Sequence, residues 1–192
     1  MRCFTSSSVF PFPFNHTSEG LWRKYPNQYT PHVVTVDTLA RTLDVKTGVL
    51  RTERIIGIKQ SAPRWLVRLI GVPDKAFVRE VTFVVPSTSQ GTPPQILMAS
   101  INLSLSNIVN VKERISYTPC QDGTGTLFRQ QALINAVGKF NLDGKWRSIG
   151  ERIEGWSLDR FASNAHIGRM ALTSVLEALL ETTGESRTLT ST

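Results

Sequence analysis

Trp22-Arg23-Lys24-Tyr25-Pro26-Asn27-Gln28-Tyr29-Thr30-Pro31-His32 joins two kinds of chain. Pro26 has no N–H and restricts Tyr25 before it, so a helix over about 15–24 stops there. Pro31 restricts Thr30 in the same way, and the alternating residues from His32 onward are free to begin a strand. Lys24 and His32 thereby stand at the two ends of one short turn. Read alone, the phrase is a helix-to-strand junction in which basic and aromatic side chains are concentrated.

Beyond this junction, residues 32–44, 49–60, 76–86, 95–105, 107–118 and 125–138 read as strands. They are separated by Gly, Pro, Asp and Ser punctuation at 44–48, 86–94 and 119–125. Within 107–117 one face carries Val109, Val111 and Ile115 and the other Asn110, Lys112, Arg114 and Ser116, the period of a half-buried strand. Short connections favour an antiparallel meander, because parallel neighbours need long crossovers. On the other side of the junction, residues 1–14 are serine-rich and free of acids, as in a transit peptide. One arginine and two prolines make them a poor amphipathic helix, so they read as mature protein.

The period changes again at 143–183, a stretch without proline that predicts one long helix. At about 100° per residue, Trp146, Ile149, Ile153, Trp156, Ile167 and Ala171 share one stripe, and Arg160 and Asn164 fall inside it. A cation and an amide in an apolar seam need partners: a carboxylate or carbonyl on the sheet, or an anionic ligand beneath the helix. A second exception to the strand pattern is 63–71. If helical, it turns Trp65, Leu66, Leu69 and Ile70 to one side and Arg64 and Arg68 towards the other. That layout suits either an interfacial element or a core-packing helix with solvated arginines.

The chain of 192 residues carries a formal charge of +7 and a pI near 9.8, which points to anionic partners, a membrane surface or nucleic acid. Its length suits a single domain over 1–183 with a disordered tail over 184–192. Cys3 and Cys120 are far apart and have no metal-ligand spacing around them, so no metal site is expected. The histidines at 16, 32 and 166 lack a serine- or cysteine-centred motif, and no phosphate-binding glycine loop occurs, so an enzyme is not expected.

Five motifs, WRKYPNQYTPHV (22–33), LRTERII (50–56), APRWLVRLIG (62–71), VREVTFVVP (78–86) and EGWSLDRFASNA (154–165), occur in order and at matching intervals. Through them nearly the whole chain resembles the PRELI-like (Ups/slowmo) family of mitochondrial intermembrane-space phospholipid transfer proteins. The resemblance implies an α+β fold: a curved antiparallel sheet of about six to seven strands, a short N-terminal helix and a long C-terminal helix, enclosing a lipid cavity. The 62–71 segment would be a mobile lid, with Trp65, Leu66, Leu69 and Ile70 meeting the membrane.

It further implies carriage of an acidic glycerophospholipid between the outer and inner mitochondrial membranes, with no cofactor. The implied heterodimer partner is a small helix-hairpin protein with twin-cysteine disulfides, and no cleavable presequence is expected. By position, the head-group residues carry over to Lys24, His32, Arg54, Arg160 and Asn164, with Lys59 a further candidate. At Ile167 the phosphatidic-acid carriers tend to have lysine, and His166 replaces another basic residue. ERISYTP (113–119) and TLFRQQALINAVG (126–138) are closer to the phosphatidylserine-type branch. Phosphatidylserine is therefore the expected cargo and phosphatidic acid the runner-up. A basic nucleic-acid-binding module is the alternative class, against which the cations are dispersed rather than clustered. A membrane-surface scaffold is the third.

Overall fold

Period-two alternation is realised as one curved, seven-stranded antiparallel sheet: β1 (Arg2–Phe10), β2 (Val33–Leu43), β3 (Leu50–Lys59), β4 (Lys75–Val85), β5 (Gln95–Asn102), β6 (Val109–Pro119) and β7 (Thr126–Ala136). Three helices accompany it, α1 (Phe14–Trp22), α2 (Arg64–Ile70) and α3 (Lys145–Leu189). The computed structural model describes residues 1–59, 62–71, 73–89, 91–141 and 144–189. The expected boundary of the tail at 184 falls where the helix backbone continues to Leu189, while residues 190–192 lie outside the described residues.

The strand order is β1-β7-β6-β5-β4-β3-β2. Strands β2 to β7 form the meander expected from short connections, and the α+β class holds. The beginning of the chain differs from expectation: β1 precedes the first helix and pairs along its whole length with β7, from Arg2 opposite Ile134 to Phe10 opposite Thr126. Its inward positions are Phe4, Ser6, Ser8 and Phe10. Two serines in the middle of the inward face erase the apolar alternation by which a strand is recognised. Backbone pairing with β7 supplies what the side chains do not.

The corner from β1 into α1 is held by buried hydroxyls. Thr126 Oγ1 donates to the Phe12 carbonyl at 2.8 Å and shares a hydrogen bond of 3.0 Å with Thr17 Oγ1. Both threonines are fully buried, so these bonds satisfy groups that would otherwise be costly to desolvate.

Apolar side chains gather in two clusters rather than one. The first joins Phe10, Phe14, Leu21, Ile96, Phe128 and the α3 residues Leu172 and Leu176, among others. The second joins Leu66 of α2, Ile108, Ile134, Phe140 and Ile153 of α3, among others. Helix α3 is thus gripped near Ile153 and again near Leu172, about 28 Å apart along its axis at 1.5 Å per residue. Its middle crosses the concave face of the sheet between the two grips.

Two glycines on α3 predict effects of opposite sign. A Cβ at Gly150 would overlap the Phe140 carbonyl, whereas one at Gly155 would meet nothing within 4 Å. Gly150→Ala should lower stability by about 1–3 kcal/mol, as overpacking does. Gly155→Ala should raise it by about 0.5–1 kcal/mol through helix propensity alone. Urea-unfolding midpoints of the two variants check the pair.

Candidate functional site

Between the two clusters lies a cavity of about 310 Å³, walled by the concave face of the sheet, by α3 and by the turn between α1 and β2. Its apolar lining includes Val109 of the second cluster and Phe10, Phe128 and Leu172 of the first, with Asn102 and Ser104 beside Val109. The middle is polar. Arg54 on β3, Glu80 on β4, Ser100 on β5 and Glu113 on β6 stand opposite one another across four strands, and all four line the cavity.

Within this row Arg54 is spent on the protein itself. Its Nε and Nη2 donate to Glu80 Oε1 at 3.0 and 2.5 Å, and Thr82 donates to the same oxygen at 3.3 Å. The Arg54 guanidinium also lies 5.4 Å from the centre of the Trp22 ring, a cation–π contact. Removing one member of such a buried pair strands the other, so Arg54 belongs as much to the wall as to any ligand.

On the helix side stand two cations and a histidine. Lys24 comes from the end of α1, His32 from the start of β2 and Arg160 from the middle of α3, and all line the cavity. His32 is held below its ordinary pKa by burial, then by Arg160, then by Lys24, which requires the three to converge. Among the described residues no carboxylate forms an ion pair with Lys24 or Arg160. Asn164 joins them one turn beyond Arg160. Arg169 also lines the wall and donates to Ser6 Oγ at 3.3 Å.

The turn that presents Lys24 and His32 is pinned by Asn27. Its Nδ2 donates to the Ala171 carbonyl at 3.0 Å and to Ser174 Oγ at 3.3 Å, while its Oδ1 accepts from the Tyr29 N–H at 2.9 Å. The Lys24 ammonium lies against α3 at Gly168, where a Cβ would stand 3.4 Å from Lys24 Nζ. The asparagine in the opening phrase therefore sets the height of both cations above the sheet.

Of the six residues expected at a head-group site, Lys24, His32, Arg54, Arg160 and Asn164 line the cavity and Lys59 does not. Lys59 is exposed at the last position of β3, where its side chain has left the concave face. Helix α2 contributes no lining residue among those described. Leu66 is buried in the second cluster, Trp65 packs beside it beneath Arg152 at 4.2 Å, and Leu69 is exposed. The side chain of Ile70 lies outside the described residues. His166 and Ile167 do not line the cavity either.

Sequence reading passed over Glu80, Ser100, Glu113 and Gln130. Glu113 and Gln130 are polar interruptions of the inward faces of β6 and β7, between Val111 and Ile115 and between Phe128 and Ala132. Burial pushes the Glu113 carboxyl above its ordinary value. Cys3 and Cys120 are both free thiols. No described helix is long and apolar enough to cross a membrane.

The model of the PRELI-like family matches residues 15–183, from α1 into the last turns of α3. Protein UPS2, mitochondrial, of Saccharomyces cerevisiae is 36% identical over 94% of this chain and 75% of its own length. UPS-like protein C36.10 of Schizosaccharomyces pombe is 34% identical over 93% of this chain and 91% of its own. Protein UPS1, mitochondrial, of Saccharomyces cerevisiae is 29% identical over 92% and 93%. Among solved structures, TTHA0849 from Thermus thermophilus superposes with a TM-score of 0.57 at 10% identity, covering 93% of this chain and 99% of that one. The di-domain ARO/CYC StfQ from the steffimycin biosynthetic pathway gives 0.54 at 13% identity, covering 93% and 51%. At these identities the two structures share the fold.

The His32 environment makes a pH prediction. Because its folded pKa lies below the unfolded value of 6.5, the stability it contributes is intact above 6.5. That stability is lost as pH falls from there through the lowered pKa. An anion seated among Lys24, His32 and Arg160 should reverse the shift. NMR titration of the His32 ring, assigned with His32→Gln, should show it titrating below 6.5 in lipid-free protein and moving upward when an acidic lipid is added.

Proposed function

The chain belongs to the PRELI-like family, and from that membership we propose that it carries an acidic glycerophospholipid, phosphatidylserine, between the outer and inner mitochondrial membranes. One observation supports this reading above the others: Lys24 and Arg160, without carboxylate ion pairs among the described residues, line with His32 a cavity that is also lined by apolar side chains of both clusters. A phosphate in such a low-dielectric site needs charge-assisted donors, which Arg160 can supply as a fork and Lys24 as a point charge. Asn164 adds an amide, and the apolar part of the lining suits acyl chains. Carriage then consists of extraction, enclosure and release, and needs no catalytic group.

The place of work is the mitochondrial intermembrane space, in keeping with two relatives whose names call them mitochondrial. The partner is a small twin-cysteine helix-hairpin protein bound as a heterodimer. A cavity of about 310 Å³ is at the lower limit of the roughly 300–1,000 Å³ that encloses a drug-sized ligand, and a diacyl lipid is larger. We assign the opening motion to α2, whose Leu66 must leave the second cluster while Trp65 and Leu69 meet the bilayer surface.

The test co-expresses the chain with its twin-cysteine partner. It follows fluorescent phosphatidylserine and phosphatidic acid between donor and acceptor vesicles, with phosphatidylcholine as control. Movement of an acidic lipid above the control supports carriage, and a folded complex that moves neither refutes it. Arg160→Glu should reduce transfer of acidic lipid by about tenfold to a hundredfold, the worth of a hydrogen bond to a charged group. Its thermal midpoint should be unchanged.

A further inference from the structure

The sheet wall of the cavity carries an acceptor set that the phosphate reading does not use. Glu113 Oε1 accepts from Gln130 Nε2 at 2.5 Å, and Glu113 Oε2 accepts from Ser100 Oγ at 2.8 Å. Both donors are neutral. The neighbouring cation of the row, Arg54, is engaged by Glu80, so no guanidinium or ammonium of the described residues forms an ion pair with Glu113. The charges acting on Glu113 are Glu80 from β4 and Lys24 from the turn above.

Gln130 is 5% exposed, and with its amide N–H committed to Glu113, its carbonyl Oε1 has no hydrogen-bond partner. A buried acceptor left without a donor is costly and rare in folded proteins. Glu113 and Gln130 both line the cavity, and each Glu113 oxygen keeps a second lone pair. Glu113 and the Gln130 carbonyl therefore present acceptor positions that no hydrogen bond of the described residues fills.

We propose that Glu113, Gln130 and Ser100 form an ammonium subsite on the sheet wall that selects an acidic phospholipid bearing a primary amine over phosphatidic acid. This rests on the carriage reading above and deepens it. A primary ammonium has three N–H donors and no acceptor, which complements the Gln130 carbonyl and the free lone pairs of Glu113. Phosphatidic acid brings no donor cation and sets more negative charge beside a carboxylate. A choline head group has a cation but no N–H, so it leaves the Gln130 carbonyl unsatisfied. The cations on the opposite side, Lys24 and Arg160, remain for the phosphate and for the serine carboxylate, which phosphatidylethanolamine lacks. Selection thus arises from a donor set and an acceptor set facing each other across one cavity.

The deciding variants are Glu113→Gln, which keeps the shape and removes the charge, and Gln130→Met, which removes the unpartnered carbonyl. Each is assayed as the full chain with its partner, using phosphatidylcholine vesicles doped with phosphatidylserine, phosphatidylethanolamine or phosphatidic acid. Both variants should lose about tenfold to a hundredfold in phosphatidylserine transfer while phosphatidic acid transfer holds or rises. Equal losses for both acidic lipids, or no loss for either, would overturn the subsite. Should Glu113→Gln fail to fold, Gln130→Met decides by the same criterion. If the unaltered protein moves no acidic lipid at all, the carriage reading itself fails, an outcome visible before any variant is made.

Discussion

The rest of the molecule depends on α3 being held at two places and left unsupported between them. Leu172 and Leu176 sink into one apolar cluster and Ile153 into the other. Complete burial of such side chains contributes about 1.5–3 kcal/mol each. With both ends fixed, the stretch from Trp156 to Gly168 cannot settle onto the sheet, and the space beneath it stays open. A core filled continuously along α3 would be more stable and would hold nothing. The polar side chains of the middle stretch are tolerable because they face a cavity rather than a closed apolar seam.

The charges in the cavity divide into those answered inside the protein and those left open. Arg54 and Glu80 satisfy each other, and the row they belong to crosses the sheet because antiparallel register places them directly opposite. Lys24, His32 and Arg160 face the same space from the other side without carboxylates of their own. Burial first, and then Arg160 and Lys24, keeps the His32 imidazole neutral more readily than it would be in water. Asn27 maintains that convergence by tying the turn to the backbone and a hydroxyl of α3.

Much of this was legible in the sequence because it follows from periodicity and punctuation. Six of the seven strands, both short helices and the long one are marked by proline, glycine and the repeat of apolar residues. The placement of Arg160 and Asn164 follows from helix geometry alone. What was illegible depended on tertiary pairing. Ser6 and Ser8 conceal β1, whose stability comes from a neighbour far along the chain. Lys59 stands an odd number of residues from Arg54, so strand alternation alone puts it on the opposite face of β3. Glu113 did leave a signal, an acid at the alternate position between Val111 and Ile115, but a single interruption reads as noise until Ser100 and Gln130 are seen around it.

The pairing of β1 with β7 also dictates an order of events. Ser7 Oγ bonds to the Phe128 carbonyl 121 residues away, and every backbone bond of that strand pair spans a comparable loop. Closing so long a loop early is entropically unfavourable, which favours assembly of the meander from β2 to β7 before β1 adds to its edge. Until then Phe4 and Phe10 lie open, and the β7 edge remains free to recruit a foreign strand. Without that nine-residue strand in place, the β7 edge and those two rings would stand bare.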